Sequence, residues 1–305
     1  MISSLTSIVI VNFNGIAFLR ECLTSLERQS LPRHLFEVIV VDNASRDGSC
    51  EMLKSDFPWV RVIALAENRG FAGGNNAGFA AAHGEFIALL NNDTHADPYW
   101  LQNALASVEL GVGGIASKLV FHAEPQRINS AGLRLLADGR GSDLGFRTDD
   151  NGQFEQIAEV FAGCGAALLL RRAVIDETNG FDERFFMYCE DLDLAWQSQI
   201  NGWKFVYQPS SVVRHVHCGS SGEWSPFFTY HLERNRVWVN LRNADLFLAM
   251  WTLLGFVARI GRSLLRRKRG LIRAYLRAGL SVLTRLPTFL AERYSVRTLS
   301  SRTSR

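Results

Sequence analysis

Cysteine is sparse in this 305-residue chain, and its arrangement excludes two structural classes. The five residues, Cys22, Cys50, Cys164, Cys189 and Cys218, are odd in number, widely spaced and without a C-x-x-C pair. Neither a disulfide framework nor a thiolate zinc site is expected, and a reducing cytoplasmic setting fits best. The N-terminus lacks a basic region, and the apolar residues 8–11 are far shorter than a signal-peptide core, so no export signal is expected. The uncharged run 246–258 holds thirteen residues. That is short of the roughly twenty needed to span a bilayer.

What is present is a soluble α/β composition with 47% hydrophobic residues, enough for one large domain plus an appendage. A net charge of +3 hides an asymmetry, because thirteen Lys/Arg stand against the single acid Glu292 from Arg259 onward. The body is acidic and the tail strongly basic. β-Branched runs at residues 7–11, 37–41 and 60–65 read as buried strands, each ending in a polar cluster. Helical spacing at Ile16, Leu19, Leu23 and Leu26 and a capped segment from Ser45 or Asp47 to Phe57 alternate with them. That alternation predicts a parallel sheet with right-handed crossovers. The run 86–90 is a further buried strand, delivering Asn91, Asn92 and Asp93 where an open parallel sheet binds ligands. By itself this stretch favours the plainer reading, a polar strand-to-helix loop with a capping Asp before Pro98.

The segment Asn68-Arg-Gly-Phe-Ala-Gly-Gly-Asn-Asn76 leads into a small-residue helix over 77–82, whose start can receive an anion. A tight loop packed under a helix is the plainer alternative. Gly70, Gly73 and Gly74 have the wrong spacing for G-x-G-x-x-G and follow the third strand, which disfavours a nicotinamide enzyme. Residues 121–159 show no periodicity and are assigned to lining an acceptor site. Further on, Glu190 and Asp191 open a helix marked by Leu192, Trp196 and Ile200, whose dipole helps keep a carboxylate ionised. His215 and His217 alternate on one face of an extended segment, as an incomplete metal or phosphate site or as structural residues. The helix over 227–243 offers Arg234 to a diphosphate.

In the tail, arginines interleave with Leu264, Leu265, Leu271, Ile272, Tyr275, Leu276 and Leu280, the composition of an interfacial helix pair on an anionic membrane surface over 246–297. Nucleic acid is disfavoured by the few aromatics available for stacking. A partner helix or homo-oligomer stays open.

Taken in order, the residues 8–14, 40–45, 68–76, 89–94, 180–191 and 215–217 resemble the inverting family-2 glycosyltransferases, in their rhamnosyltransferase-like branch. The resemblance covers about residues 5–240. It implies an α/β GT-A fold, a mostly parallel nucleotide-binding sheet flanked by helices. The expected units are 1–243, with a nucleotide-sugar half (1–120) and an acceptor and base half (121–243), and amphipathic helices over 244–305. It implies a nucleoside-diphosphate sugar donor, with Asn12, Asn14, Asp42, Asn43, Asn68, Gly70, Phe71, Asn75, Asn92 and Arg234 around it. Asp93, with His215 and His217, would hold Mg²⁺ or Mn²⁺, Asp191 would be the catalytic base, and Glu190 would orient the site or acceptor. Direct displacement at an anomeric carbon needs such a base and a cation for the departing diphosphate. One departure stands out: the family's Asp-x-Asp metal motif has Asn91 at its first position, leaving Asp93 as the sole carboxylate. Such a protein would sit at the inner face of a bacterial plasma membrane and glycosylate a lipid-linked or polysaccharide acceptor, with dTDP-L-rhamnose, or else another UDP- or dTDP-activated sugar, as donor. The rivals are a nucleotidyltransferase, disfavoured because residues 12–16 are not a Gly-rich triphosphate loop, and a non-catalytic nucleotide-sugar-binding scaffold.

Overall fold

The computed structural model describes residues 4–217, 225–265 and 269–303. The first half alternates as the periodicity predicts: β1 (Thr6–Asn12), α1 (Ile16–Glu27), β2 (Phe36–Asp42), α2 (Ser49–Asp56), β3 (Arg61–Ala64), α3 (Gly70–Ala81) and β4 (Phe86–Leu90). Then come β5 (Thr94–Ala96), α4 (Trp100–Ala106) and β6 (Val112–Phe121). The stretch without periodicity resolves into short strands, β7 (Ile128–Ser130), β8 (Leu133–Leu135), β9 (Gly141–Asp143) and β10 (Ala158–Val160). β11 (Ala167–Arg171), α5 (Arg172–Thr178), α6 (Glu190–Ile200) and β12 (Lys204–His215) follow, and α7 (Pro226–Asn243), α8 (Leu246–Leu265) and α9 (Arg269–Thr303) end the chain.

The main sheet has the order β10-β12-β6-β11-β4-β1-β2-β3. From β3 to β4 it is parallel, whereas β11 runs antiparallel to both β4 and β6. Period two on β1 and β2 divides the core. Val9, Ile39 and Val41 join the layer under α3, while Ile8, Ile10, Val38 and Val40 join that of α1 and α2. β1 lies between β4 and β2, so its carboxyl end is the point where strand order reverses, the usual ligand crevice of an open sheet.

Two sequence expectations change. The glycines of 70–78 lie inside α3, not in a loop ahead of it. A Cβ on Gly74 would fall 2.6 Å from Val11, and one on Gly78 would fall 2.3 Å from Val9, so the glycines let the helix settle onto β1. The anion-receiving role fails for the same segment, because its first amides are committed: Gly70 N donates to Asn68 Oδ1 and Ala72 N to the Phe186 carbonyl. The C-terminal helices also differ from a detached tail. One face of α9 is buried on α7 through Ala274, Ala278, Val282 and Phe289, the last stacked on Trp238. Arg242 of α7 pairs with Asp182, Asp193 and Glu292 in one network, so the lone acid of the basic segment ties it to the body.

Candidate active site

Three strand ends meet at one buried asparagine. Asn12 Nδ2 donates to Asp42 Oδ1 and Ser45 Oγ, both at 3.2 Å, and Asn12 Oδ1 accepts from Asn92 Nδ2 at 2.8 Å. Asp42 Oδ2 takes the Ser45 amide, and Asn14 Oδ1 takes the Arg46 amide. Only glycine fits at position 15, where a Cβ would sit 2.1 Å from Asn92 Nδ2. Of the residues assigned to the nucleotide sugar, Asn43 and Asn75 are corrections. Both are buried; Asn43 spans Gly70 O and the Arg69 amide, and Asn75 bonds the Phe71 carbonyl of its own helix. Gly70 takes φ +70°, and a Cβ there would meet Phe186 O at 2.3 Å, so it serves a close approach to the segment before α6.

Beyond β4, the pairing of His215 with Thr94 between β12 and β5 carries the imidazole to Asp93. His215 Nε2 lies 3.3 Å from Asp93 Oδ1, and both side chains are buried. Its Nδ1 faces Asn129 Oδ1 at 2.9 Å, which can only accept, so Nδ1 carries the hydrogen. Nε2 then meets a carboxylate oxygen, a juxtaposition that a shared cation satisfies. Asn91, at the first position of the metal motif, reaches the same Nε2 with its Nδ2 at 3.4 Å. Asn129 Nδ2 holds His217 at 3.3 Å, and Phe121 and Phe146 pack on that ring. Among the described residues no group of three or more His, Cys, Asp or Glu side chains forms a metal cage. Asp93 and His215 therefore fit a divalent ion that takes its remaining ligands from phosphate oxygens and water.

The third component is the start of α6. Asp191 is half-buried; its Oδ2 accepts from Gly165 N at 3.0 Å and its Oδ1 from Leu192 N at 2.8 Å. Burial raises its carboxyl above the ordinary aspartate value despite both amides. A Cβ on Gly165 would lie 3.2 Å from Phe71 and 3.6 Å from Asp191 Oδ2, so glycine keeps space open in front of the carboxylate. Glu190 does not share that opening: it is buried, and its Oε2 is closed to solvent and without a hydrogen-bond partner. Burial, then the charges of Asp191 and Asp193, push its carboxyl well up. The acceptor-orienting role is thus corrected to an interior one. Asp193, on another face of the helix, is bound by Arg242 and Asn243.

Two participants carry no sequence signal. Asp143, on β9, has an Oδ1 closed to solvent and unpartnered; burial and then the nearby Asp191 charge raise it to about 6, against the lowering effects of Ser130 and His215. It lies within electrostatic reach of both Asp191 and His215. The other is Asn235 of α7, whose Nδ2 reaches the carbonyls of Phe185, Met187 and Tyr188 at 2.7–3.0 Å. These carbonyls belong to a segment where Phe186, Tyr188 and Cys189 all have positive φ, a strained run leading straight into Glu190 and Asp191. Arg234 belongs to the same clamp and corrects the diphosphate assignment. It is buried, and its guanidinium is spent on the carbonyls of Arg184 and Phe185, the Tyr230 hydroxyl and Asn235 Oδ1.

Residues 7–178, more than half of the chain, match the family model described as glycosyl transferase family 2. The chain belongs to glycosyltransferase family 2. This glycosyltransferase is 28% identical over 265 residues to an N-acetylglucosaminyl-diphospho-decaprenol L-rhamnosyltransferase of Mycobacterium tuberculosis, covering 76% of this chain and 85% of that one. It is 28% identical to the pre-mycofactocin glycosyltransferase of the same organism, over 72% of this chain and 44% of the relative. Among solved structures it is similar to S. aureus TarS 1-349 in complex with UDP-GlcNAc, with a TM-score of 0.58 at 20% identity over 99% of this chain and 92% of that one. The Pyrobaculum calidifontis mannosyltransferase PcManGT, in complex with GDP-Man and Mn²⁺, gives 0.58 at 15% identity over 92% and 87%. The fold is GT-A and the protein is a transferase, which sets aside the nucleotidyltransferase and scaffold readings.

The two neighbouring carboxyls make a pH prediction. Burial raises both carboxyls, Asp143 to about 6, and the Asp191 charge adds to the rise at Asp143. The acid limb of the kcat/KM profile should therefore reflect two coupled ionisations. Asp143→Asn should leave one and move the limb to lower pH, because a neighbouring negative charge is removed; a variant profile superimposing on the wild type would disprove the coupling.

Proposed function

We propose that this glycosyltransferase is an inverting enzyme that moves a sugar from a nucleoside-diphosphate donor to a hydroxyl of a lipid-linked glycan. The observation that carries this is the placing of one half-buried carboxylate, Asp191, held by the Gly165 and Leu192 amides and paired with no cation among the described residues, with Asp143 as electrostatic neighbour to it and to His215 of the Asp93–His215 pair. Asp191 accepts the proton of the attacking hydroxyl, its raised affinity for protons suiting that transfer near neutral pH. Asp93 and His215 would hold Mg²⁺ or Mn²⁺, which supplies positive charge to the departing diphosphate. Support for L-rhamnose as the sugar moved and a diphospholipid-linked sugar as acceptor comes from the M. tuberculosis relative's name.

We place the enzyme peripherally on the inner face of a bacterial plasma membrane. By length and composition α8 could cross a bilayer, which revises the expectation from the thirteen-residue run. Yet Ala249, Thr252 and Phe256 are buried in the protein while Leu246, Phe247, Met250, Trp251, Leu254 and Val257 are exposed, a one-sided pattern suited to lying at the interface.

A thermal-shift panel of dTDP- and UDP-sugars, with and without Mn²⁺, tests the reading together with donor hydrolysis. At a hundred times its dissociation constant a donor should add about 2.7 kcal/mol of stability. His215→Ala should abolish the increment due to metal. Absence of both shift and hydrolysis with every donor would refute the transferase assignment, and unchanged partition of a Phe247→Ser/Met250→Ser variant to anionic vesicles would refute the surface one.

A further inference from the structure

A cavity of about 400 Å³ opens between α8 and the turn joining β8 to β9, within the usual size range of small-ligand sites. Arg140 of the turn, Arg236 of α7 and Arg259 and Arg262 of α8 line it, together with Trp251 and Leu254 one to three turns earlier on α8. Two acids answer these four cations. Asp138 holds Arg140 by its Nε at 2.6 Å, and Glu233 binds both Arg236 and Arg259, leaving a positive surplus in the walls. Arg259 Nη2 has no hydrogen-bond partner although it is closed to solvent. A buried unsatisfied guanidinium donor calls for an acceptor, and phosphate oxygens match its fork. The cavity is preformed: Asn240 Nδ2 donates to Gly139 O, and Thr252 Oγ1 reaches Asp138 O, bracing the turn between α7 and α8.

Its position relates it to the catalytic centre from two sides. Arg140 precedes Asp143 by three residues of extended chain, roughly 10 Å. Arg236 lies within electrostatic reach of Cys189, the residue immediately before Glu190 and Asp191. On the outer side, Trp251 and Leu254 belong to the exposed apolar face of α8. An amphiphile whose chain lies along α8 would thus put its anionic head among the arginines and project the next group toward Asp191.

From this arrangement we infer that the cavity is the acceptor's phosphate subsite, taking the diphosphate of an isoprenoid-type lipid carrier whose sugar is presented to the base. This rests on the transferase reading and adds to it a location and a chemical class for the acceptor's head. The arginines distinguish the carrier by its phosphates, and the α8 wall by its chain. Neither group touches the donor residues at the ends of β1, β2 and β4.

The test is calorimetric titration of the full-length protein with farnesyl diphosphate and with farnesol, in wild type and in an Arg140→Gln/Arg262→Gln variant. Both substituted residues are partly or fully exposed, and the variant's melting temperature is measured as a control on folding. The wild type should bind the diphosphate at least tenfold more tightly than the alcohol, and the variant should lose that preference while still binding farnesol. Equal wild-type affinities, or a preference untouched by the substitutions, overturn the assignment. Should the variant instead lose only its partition to phosphatidylglycerol vesicles and keep its preference, the arginines serve bulk lipid and the subsite is likewise overturned. Donor hydrolysis by the wild type separates the two layers. Diphosphate preference without hydrolysis sinks the transferase reading alone, and hydrolysis without preference sinks the subsite alone.

Discussion

Replacing Asp191 by Asn is expected to lower kcat for sugar transfer by roughly 10²–10⁴-fold, the usual contribution of a positioned general base. The side chain keeps its shape but loses the ability to take a proton, and donor affinity should stay within a fewfold because none of the donor residues bonds to it. The substitution should not unfold the protein. Burial raises the Asp191 carboxyl, so its charged form is disfavoured by folding. The stability tied to that group is complete below the unfolded aspartate value near 3.9 and is lost as pH rises through the folded one. At pH 7 the neutral amide removes that penalty, offset by the one backbone amide, of Gly165 or Leu192, that Asn cannot satisfy. A variant with wild-type kcat would show that another group takes the proton. Reduced kcat accompanied by loss of donor-induced thermal shift would show that Asp191 belongs to the donor site instead.

The legible part of the molecule is that in which local pattern and tertiary role coincide. Strands β1, β2 and β4 are nearly uninterrupted apolar runs because both their faces are covered, and each ends at the first residue that can face solvent or ligand, Asn12, Asp42 or Asn91. The Glu190–Asp191 pair was visible because it opens a helix with clear apolar spacing. What pattern could not separate was a polar residue that meets substrate from one that holds another polar residue. Asn43, Asn75 and Arg234 have the chemistry of ligand contacts, yet their hydrogen bonds are consumed by backbone groups that the fold leaves unpaired. The glycines of α3 mislead for a related reason: small residues permit close approach by a ligand or by a strand, and only the packing on Val9 and Val11 decides which. Asp143 was illegible because β8 and β9 are three-residue strands, too short to carry a period. Its role comes from the hairpin's placement beside α6, where a Cβ on Gly141 would touch Leu192.

The other large effect expected lies away from the substrate, at Asn235. Its amide nitrogen has two hydrogens and three carbonyl partners, so it works as a shared donor at the centre of the turn preceding α6. Asn235→Leu would remove this donor from one buried carbonyl, of Phe185, and two part-buried ones, of Met187 and Tyr188. Leaving one buried carbonyl unsatisfied costs about 1–3 kcal/mol. The full loss should be about 2–4 kcal/mol, because Arg234 still binds Phe185 O, the other two carbonyls are part-buried and the strain at Phe186, Tyr188 and Cys189 can relax. At roughly 2–4 °C per kcal/mol, the melting temperature should fall by something near 10 °C. Relaxation of those three residues moves the start of α6 and with it Asp191, so kcat measured well below the new melting point should fall while the KM for donor changes little. A purely structural asparagine predicts otherwise: the melting temperature would drop and kcat of the still-folded enzyme would match the wild type. That split between kcat and stability decides whether the strained segment is held in place for catalysis, and a variant equal to the wild type in both would refute the clamp altogether.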